Sequence, residues 1–397
     1  MQKDFHYYAT YCAASLAGYS HEESLSVCWS AQFVDLCSAT LLAKLNAPRA
    51  AATTQLAMEM MDARTDLPGL QDITRIWASF HFLPYDLNAQ KKGCSRRYLR
   101  KYRLICRPNG SLLADTVALA KGGSLQAAGL AMHVLADTWA HANFAGTPSF
   151  VINDTNYHFF ELLPDGTERP IRFRHNPGGG DDLENGVYAN TLQQPSENSV
   201  MNLGHGRAGH LPDYSFIRYK YMPAWGDYEE TVKDNPSDYL HAFCQMIEAL
   251  KYLRGERDDF AVGRYDRAAI AGMEEEIRTI LGVRRPIACE AWKAFGEKLS
   301  GCEIGDFSLE AVQQEYRDAA QDKKNATVLG KFILAALAQK SMVTNRIFRS
   351  GSLLAGYSVD FRDKGFRGMK DFRKLVEQVR EEGRWAAFSV SDMCFKA

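Results

Sequence analysis

The sequence predicts a mostly α fold carrying one small β-hairpin, and three observations lead there. Several stretches repeat apolar residues at helical spacing behind recognisable caps. One segment, YHFFELLPDGTERPIRFRH, alternates aromatic and polar residues on both sides of Pro164-Asp165-Gly166, as two strands flank a turn. Glycine-rich runs, NPGGGDDLENG and GHGRAGHLPD, separate the patterned segments as loops.

Taken in order, Ser20 and Glu23 form a capping-box pattern. Apolar spacing from Val27 through Phe33 and Val34 to Leu41 and Leu42 then predicts a helix over about 21–45, with Asp35 in its middle. Ser124 caps a second long helix, which carries HVLADTWAHANF to about Phe144 and ends before Gly146 and Pro148. The aromatic segment is a hairpin over about 156–175, followed by loop at 176–186 and again at 204–212. Asn235-Pro236 opens a helix that Gly255 closes. Further helices are expected near 264–281, 286–300, 308–321, 326–348 and 369–383. A change of character at GERDDFA divides the chain into 1–255 and a helical C-terminal region, 256–397. All ten histidines lie between His6 and His241, so histidine chemistry belongs to the first of these.

Composition narrows the function classes. A formal net charge of -1, with 46% hydrophobic and 24% charged residues, gives no global attraction to nucleic acid or anionic lipid. Nine scattered cysteines with no C-x-x-C pair fit a reducing compartment better than a disulfide scaffold. Asp4 and His6 stand where a signal peptide needs a basic start and a clean apolar run, and no apolar run reaches the ~18 residues of a membrane span. A cytoplasmic protein is expected.

Chemistry concentrates in the second long helix. His133, Asp137 and His141 follow one another at four-residue intervals, so they share one helix face, drifting about 40° per step over about 12 Å of rise. Metal bonds of about 2.0–2.2 Å make it hard for the two outer histidines to reach one ion. A central carboxylate with a histidine one turn away on either side suits two ions about 3.5–4 Å apart, with Asp137 between them. More ligands are needed, and Asp4, His6, Asp35, His81, His205, His210 and Asp213 supply the residue types in apolar surroundings where lone polar groups are costly.

In this order, the H-x-x-x-D-x-x-x-H-x-N pattern of His133, Asp137, His141 and Asn143 resembles the zinc-binding helix of the bacterial zinc-dependent phospholipase C and fungal single-strand nuclease superfamily. DFHYYATYCAASLAGY, AQFVD and GHGRAGHLPD more closely resemble an uncharacterised bacterial family known as a domain of unknown function, over roughly residues 1–255. The superfamily resemblance implies a phospholipase C/nuclease-like multi-helix fold with two or three zinc ions, hydrolysing phosphate esters; other divalent transition metals suit the same ligands. It implies that Asp35, His81, His133 and Asp137 hold one ion, that His6 holds a second beside the shared Asp137, and that His141 with one or two of His205, His210 and Asp213 holds a third. Asp4 or Asp35, whichever is not itself a ligand, would orient the attacking water as general base, while Asn143 or Asp213 would fix histidine tautomers. Two departures stand out. The secreted relatives use a freed N-terminal tryptophan as a ligand, whereas this chain begins Met-Gln-Lys-Asp, so either Asp4 substitutes or one ion is absent. The superfamily's last histidine has an acid four residues later on a helix, whereas Gly204, Gly206 and Gly209 make a loop around His205.

Outside this set, residues 91–107, KKGCSRRYLRKYRLICR, hold eight basic residues, no acidic one, and Tyr98 and Tyr102. They suit phosphate or single-stranded nucleic acid, or else form a solvated basic surface. GHGRAG is no phosphate loop, since no Gly-Lys-Ser/Thr follows. The rival classes are a metal-stabilised helical binding or regulatory module without turnover, and a metal hydrolase of amides or other esters.

Overall fold

A computed structural model describes residues 1–63, 67–156, 158–174, 180–189 and 203–352. The chain opens with a π-helix, Asp4–Ala9, continued by α1 (Thr10–Leu16), α2 (His21–Phe33) and α3 (Ala39–Lys44). Then follow α4 (Ala57–Ala63), α5 (Leu67–Phe80), α6 (Arg96–Tyr102), α7 (Ser111–Ala120), α8 (Leu125–Ala140) and the short α9 (Phe150–Asn153). Strands β1 (Phe159–Leu162), β2 (Glu168–Pro170), β3 (Arg172–Arg174), β4 (Val187–Ala189), β5 (Arg218–Tyr221) and β6 (Thr231–Asp234) precede α10 (Asn235–Arg254). The remainder is helical: α11 (Glu274–Leu281), α12 (Cys289–Ser300), α13 (Leu309–Asp318) and α14 (Val328–Arg349). The class is mostly α, and the helix expected near 369–383 lies outside the described residues.

Caps explain several starts. Ser20 and Glu23 close a reciprocal capping box on α2, Ser124 accepts from Ala127 N on α8, and Asp234 accepts from Ser237 N on α10, which Gly255 ends in the left-handed conformation. Three helices are shorter than their patterns suggest; of the helix expected near 264–281 only α11, Glu274–Leu281, forms behind a 3-10 turn at Ala268–Ile270. The helix expected over 21–45 breaks after Phe33, because the Thr53 hydroxyl takes the Val34 carbonyl and Ser38 caps a new start at α3. Asp35 therefore sits in the turn beyond α2, where its side chain is freed from a helix face. Likewise α8 stops at Ala140: Asn143 adopts φ 79°, its N–H bonds to Cys106 O, and Ile105 pairs with Ala145 in an isolated bridge.

Helix α8 is buried on every side, as its alanine-rich composition allows, and packs against α2, α5, α7, α10 and α14. Helices on both sides of position 255 share one core: Trp292 of α12 meets Phe5 of the π-helix and Phe243 of α10, while Phe332 of α14 meets Phe33 of α2. A second cluster lies under the sheet and includes Phe82, Phe144, Phe159, Tyr219 and Tyr221. The expected hairpin is β1–β2, antiparallel with Phe160 opposite Pro170. It belongs to a larger antiparallel sheet of order β2-β1-β5-β6, beside a parallel pair β3–β4. Among the described residues no helix is long and apolar enough to cross a membrane, and the described cysteines are free thiols.

Candidate metal centre

Five parts of the chain deliver ligand-capable side chains to one buried place. The π-helix carries His6, the turn after α2 carries Asp35, and the residue after α5 is His81. The last two turns of α8 bring His133 and Asp137, with His141 as its C-cap. Between Gly204 and Asp213, two single-turn 3-10 segments carry His205, His210 and Asp213. A π-helical turn at His6 fits the habit of such turns to occur at functional sites.

The histidines are pre-set by main-chain carbonyls. A carbonyl oxygen can only accept, so the ring nitrogen facing it carries the hydrogen and leaves the other as a lone pair in the neutral ring. His133 Nδ1 donates to Ala31 O at 2.9 Å, His81 Nε2 to Thr53 O at 3.0 Å, His141 Nδ1 to His81 O at 2.7 Å, and His205 Nδ1 to Gly209 O at 2.7 Å. The opposite nitrogens all turn toward carboxylates.

Three groups result. In the first, His81 Nδ1 and His133 Nε2 stand 3.2 Å apart, and Asp137 Oδ2 lies 3.2 Å from His81 and 3.1 Å from His133. All three are acceptors with no hydrogen to share. Donor atoms around a tetrahedral ion with ~2.0–2.1 Å bonds lie roughly 3.3 Å apart, so the spacing fits one cation. Asp35 Oδ1 completes this group at 3.9 Å from both imidazole nitrogens. In the second, Asp137 turns its other oxygen, Oδ1, to His6 Nε2 at 3.1 Å. His6 is fully buried, stacks on His133 with ring centroids 3.8 Å apart, and has neither ring nitrogen in a hydrogen bond. A buried imidazole with neither nitrogen hydrogen-bonded, beside a carboxylate, could hold a metal ion. In the third, His141 Nε2 is 3.1 Å and His205 Nε2 3.7 Å from Asp213, again acceptor facing acceptor.

His133 can be drawn into either of the first two groups, since His6, His133 and Asp137 also converge closely enough to hold one ion. Its Nδ1 is already committed to Ala31, however, and a single remaining nitrogen serves one ion. Its closeness to His81 and Asp137 Oδ2 assigns it to the first group. A positive charge already lies among these carboxylates: the Met1 amine donates to Asp137 Oδ1 at 2.9 Å and lies 3.2 Å from both Asp213 Oδ1 and His141 Nε2. Burial alone would neutralise this amine, but Asp137 and Asp213 raise its pKa to about 11.

The electrostatics leave His6, His133, His205, Asp137 and Asp213 in their binding forms, whereas burial raises the Asp35 carboxyl above its ordinary value. Burial lowers His6 to about 4, helped by His133, and lowers His133 and His205 to about 4 as well. Burial works against charge on Asp137 and Asp213, yet the surrounding imidazoles and the Met1 amine outweigh it and hold both well below the usual carboxylate range. Neutral imidazoles and ionised carboxylates are the states that bind metal at neutral pH.

Asp4 and Asn143 are used differently from expectation. Asp4 accepts from Phe5 N at 2.9 Å and from Ala288 N at 2.8 Å, so the expected water-orienting carboxylate ties the π-helix to the start of α12 instead. A buried carboxylate satisfied by two backbone donors has found its partners. Asn143 accepts from Arg107 Nε at 3.0 Å and ends the α8 turn without bonding to a histidine. Asp213 faces His141, His205 and His210, and His210 Nδ1 lies 3.3 Å from its Oδ2, which raises the His210 pKa. The Asp35 side chain is 31% and that of His210 39% exposed, marking where the centre opens to solvent.

Several contributors carried no sequence signal. The carbonyls of Ala31, Thr53, His81 and Gly209 could not be read from residue types. Gln32 was overlooked, although its Nε2 donates to Asp35 Oδ2 at 3.3 Å, and its spacing of three from Asp35 was the available clue. Phe82 stacks on His141, and Gly204 makes room for it, since a Cβ there would lie 2.2 Å from the Phe82 ring. In the basic stretch, Lys91 pairs with Asp227, Arg103 donates to Ala89 O, and Arg107 lies over the Trp225 ring.

The model of a family of unknown function, DUF6765, matches residues 1–347. Neither the curated proteins nor the solved structures include a match.

Proposed function

The chain belongs to this family of unknown function, which brings no activity with it, and from the centre itself we propose a metal-dependent hydrolase of phosphate esters. Zinc is the ion such imidazole and carboxylate ligands favour, with other divalent transition metals possible. The observation that carries the reading is the division of Asp137: Oδ2 belongs with His81 and His133, and Oδ1 with His6. A carboxylate shared in this way would let Asp137 serve two ions, and two such ions would supply the Lewis acidity suited to displacement at phosphorus. The likeness of the ligand order to zinc-dependent phospholipases C and nucleases points the same way.

Bound ions would supply Lewis acidity, stabilising charge on phosphoryl oxygens and making a nearby water acidic enough to lose its proton near pH ~7. The chain's own residues do the rest. His81, His133 and His141 are locked by carbonyl bonds, so the ligand positions need no reorganisation. Asp35 stands at the exposed edge with Oδ2 held by Gln32, which suits it to orient a water and accept its proton. His210, also at the opening, is held by Asp213 through its Nδ1, which leaves its Nε2 free to meet a substrate.

Metal analysis of the purified protein tests the reading first: two or three transition ions per chain are expected. Fewer than one ion, together with an Asp137→Ala variant of unchanged ion content, would sink it. With ions present, cleavage of a generic phosphodiester or phosphocholine ester should appear and be abolished by a chelator. Ions bound but no turnover across a broad ester panel would favour a metal-stabilised binding module.

A further inference from the structure

Helices α2 and α8 touch backbone to backbone at one point, and that point lies one turn before the first ligand group. A Cβ on Gly129 would lie 2.2 Å from Val27 O, 2.7 Å from Ser30 Cβ and 3.1 Å from Ala31 N. No methyl group fits there without moving a helix backbone. One turn along α8, His133 Nδ1 donates to Ala31 O at 2.9 Å. Ala31 is in the last turn of α2, where carbonyls lack an intrahelical partner, and the Asp35 N–H bonds to Gln32 O instead. Just beyond that helix end, Asp35 Oδ1 lies 3.9 Å from His133 Nε2. The steps 129, 133, 137 on α8 thus run beside 27, 31, 35 on and after α2.

We propose that Gly129 is a positioning residue for the metal centre: by letting α2 touch α8 it sets the His133 tautomer through Ala31 O and brings Asp35 into the His81–His133–Asp137 group. The proposal rests on the metal-centre reading above, but its first consequence concerns the metal-free protein. Adding a methyl group at 129 moves α2 away, breaks the Ala31–His133 bond, and withdraws Asp35. The fixed tautomer and the carboxylate are lost together, because both depend on one helix separation. Packing alone would not single out this glycine: in α14 a Cβ on Gly330 would lie 1.8 Å from Lys324 O, a conflict at least as severe, but with the turn before α14 and not with ligand-bearing backbone.

The test compares Gly129→Ala with Gly330→Ala in the full chain. In metal-free protein, nitrogen NMR of the imidazoles should show His133 protonated at Nδ1 in the parent and in Gly330→Ala, but averaged between tautomers in Gly129→Ala. On titration with Zn²⁺ or Co²⁺, Gly129→Ala should bind one ion about 10–100-fold more weakly, the usual cost of losing a supporting contact to a metal ligand. Gly330→Ala should keep the parent's ion count and cobalt spectrum. Adding Asp35→Glu to Gly129→Ala lengthens the carboxylate by about 1.5 Å and should restore the ion. In the parent background the same Asp35→Glu change should weaken that ion, which keeps the proposal testable if Gly129→Ala does not fold. An unchanged His133 tautomer, or an unchanged ion affinity in Gly129→Ala, overturns the proposal, as does a parent-background Asp35→Glu that binds as tightly as Asp35. A parent protein binding no ion overturns the metal-centre reading instead, and the tautomer result then decides the positioning role separately.

Discussion

The first two ligand groups and the third are built from different materials. His81, His133 and Asp137 belong to long helices or their ends, with side chains between 0% and 5% exposed. His205, His210 and Asp213 hang on a glycine-rich loop, and the outermost ring reaches 39% exposure. Helices fix side chains by packing along their whole length, whereas a loop fixes them by a few local bonds. The loop compensates with anchors of its own: Arg207 is buried and its Nε lies 3.4 Å from Asp154, while Asn235 donates to the Leu211 and Tyr214 carbonyls. Depth gives His81, His133 and Asp137 a rigid frame, while Asp35 at one edge and the loop with His210 at the other give approaches from solvent.

This contrast can be broken by experiment, beginning with the largest effect. Asp137→Ala removes the carboxylate common to the first two groups, so ion content should fall to one or none and phosphodiester cleavage by at least about 10²–10³-fold, the loss expected when a transition-state stabiliser disappears. Elemental analysis and initial rates give both values, and retention of two ions would show that the groups do not depend on a shared oxygen. His205→Ala should remove a single, loop-held ion and reduce the rate by about 10–100-fold, leaving the helix-held ions in place. If instead every ion is lost, the two regions are one cooperative unit. Gln32→Ala should leave the ion count intact while releasing Asp35 Oδ2, and a rate loss of about tenfold would separate orientation from ligation.

A smaller effect probes the sheet beneath the loop. Glu161 of β1 is buried, and although burial opposes its charge, Arg284 and Arg169 hold its pKa below the ordinary value. Its contribution to stability is therefore full above the unfolded value of about 4.3 and is lost as pH falls through the lower folded value. Glu161→Gln should cost about 1.5 kcal/mol in urea unfolding at pH 7 and show less further loss on acidification than the parent. An identical acid response in the two proteins would remove Glu161 from the account of what steadies this half of the molecule.

The same division governs what sequence could reveal. His133, Asp137 and His141 were legible because helical spacing converts directly into a shared face, and the hairpin because its turn and alternation lie within twenty residues. Strands β5 and β6 were not: β5 pairs with β1 about sixty positions away, and β6, although it pairs with the nearby β5, is a four-residue strand, TVKD, with little apolar alternation. Asp35 was a candidate from its residue type, but the continuing apolar spacing hid the break that frees it from α2. Asp4 carried the right chemistry and went to a helix start, because the donor that claimed it, Ala288 N, is 284 residues distant. The carbonyls that lock the histidines are the least legible of all, since every residue has one.

The bond between Asp4 and Ala288 also sets a timetable. During synthesis the segment bearing His6 precedes the helix that holds its base by 284 residues. At the usual pace of about 5–20 residues per second, the interval is on the order of 15–60 seconds. For that time the nascent chain carries most of its histidines and acids without this clamp on their first member. Final seating of His6, and with it any metal acquisition that needs this histidine, therefore waits until α12 has been made and can close over the π-helix.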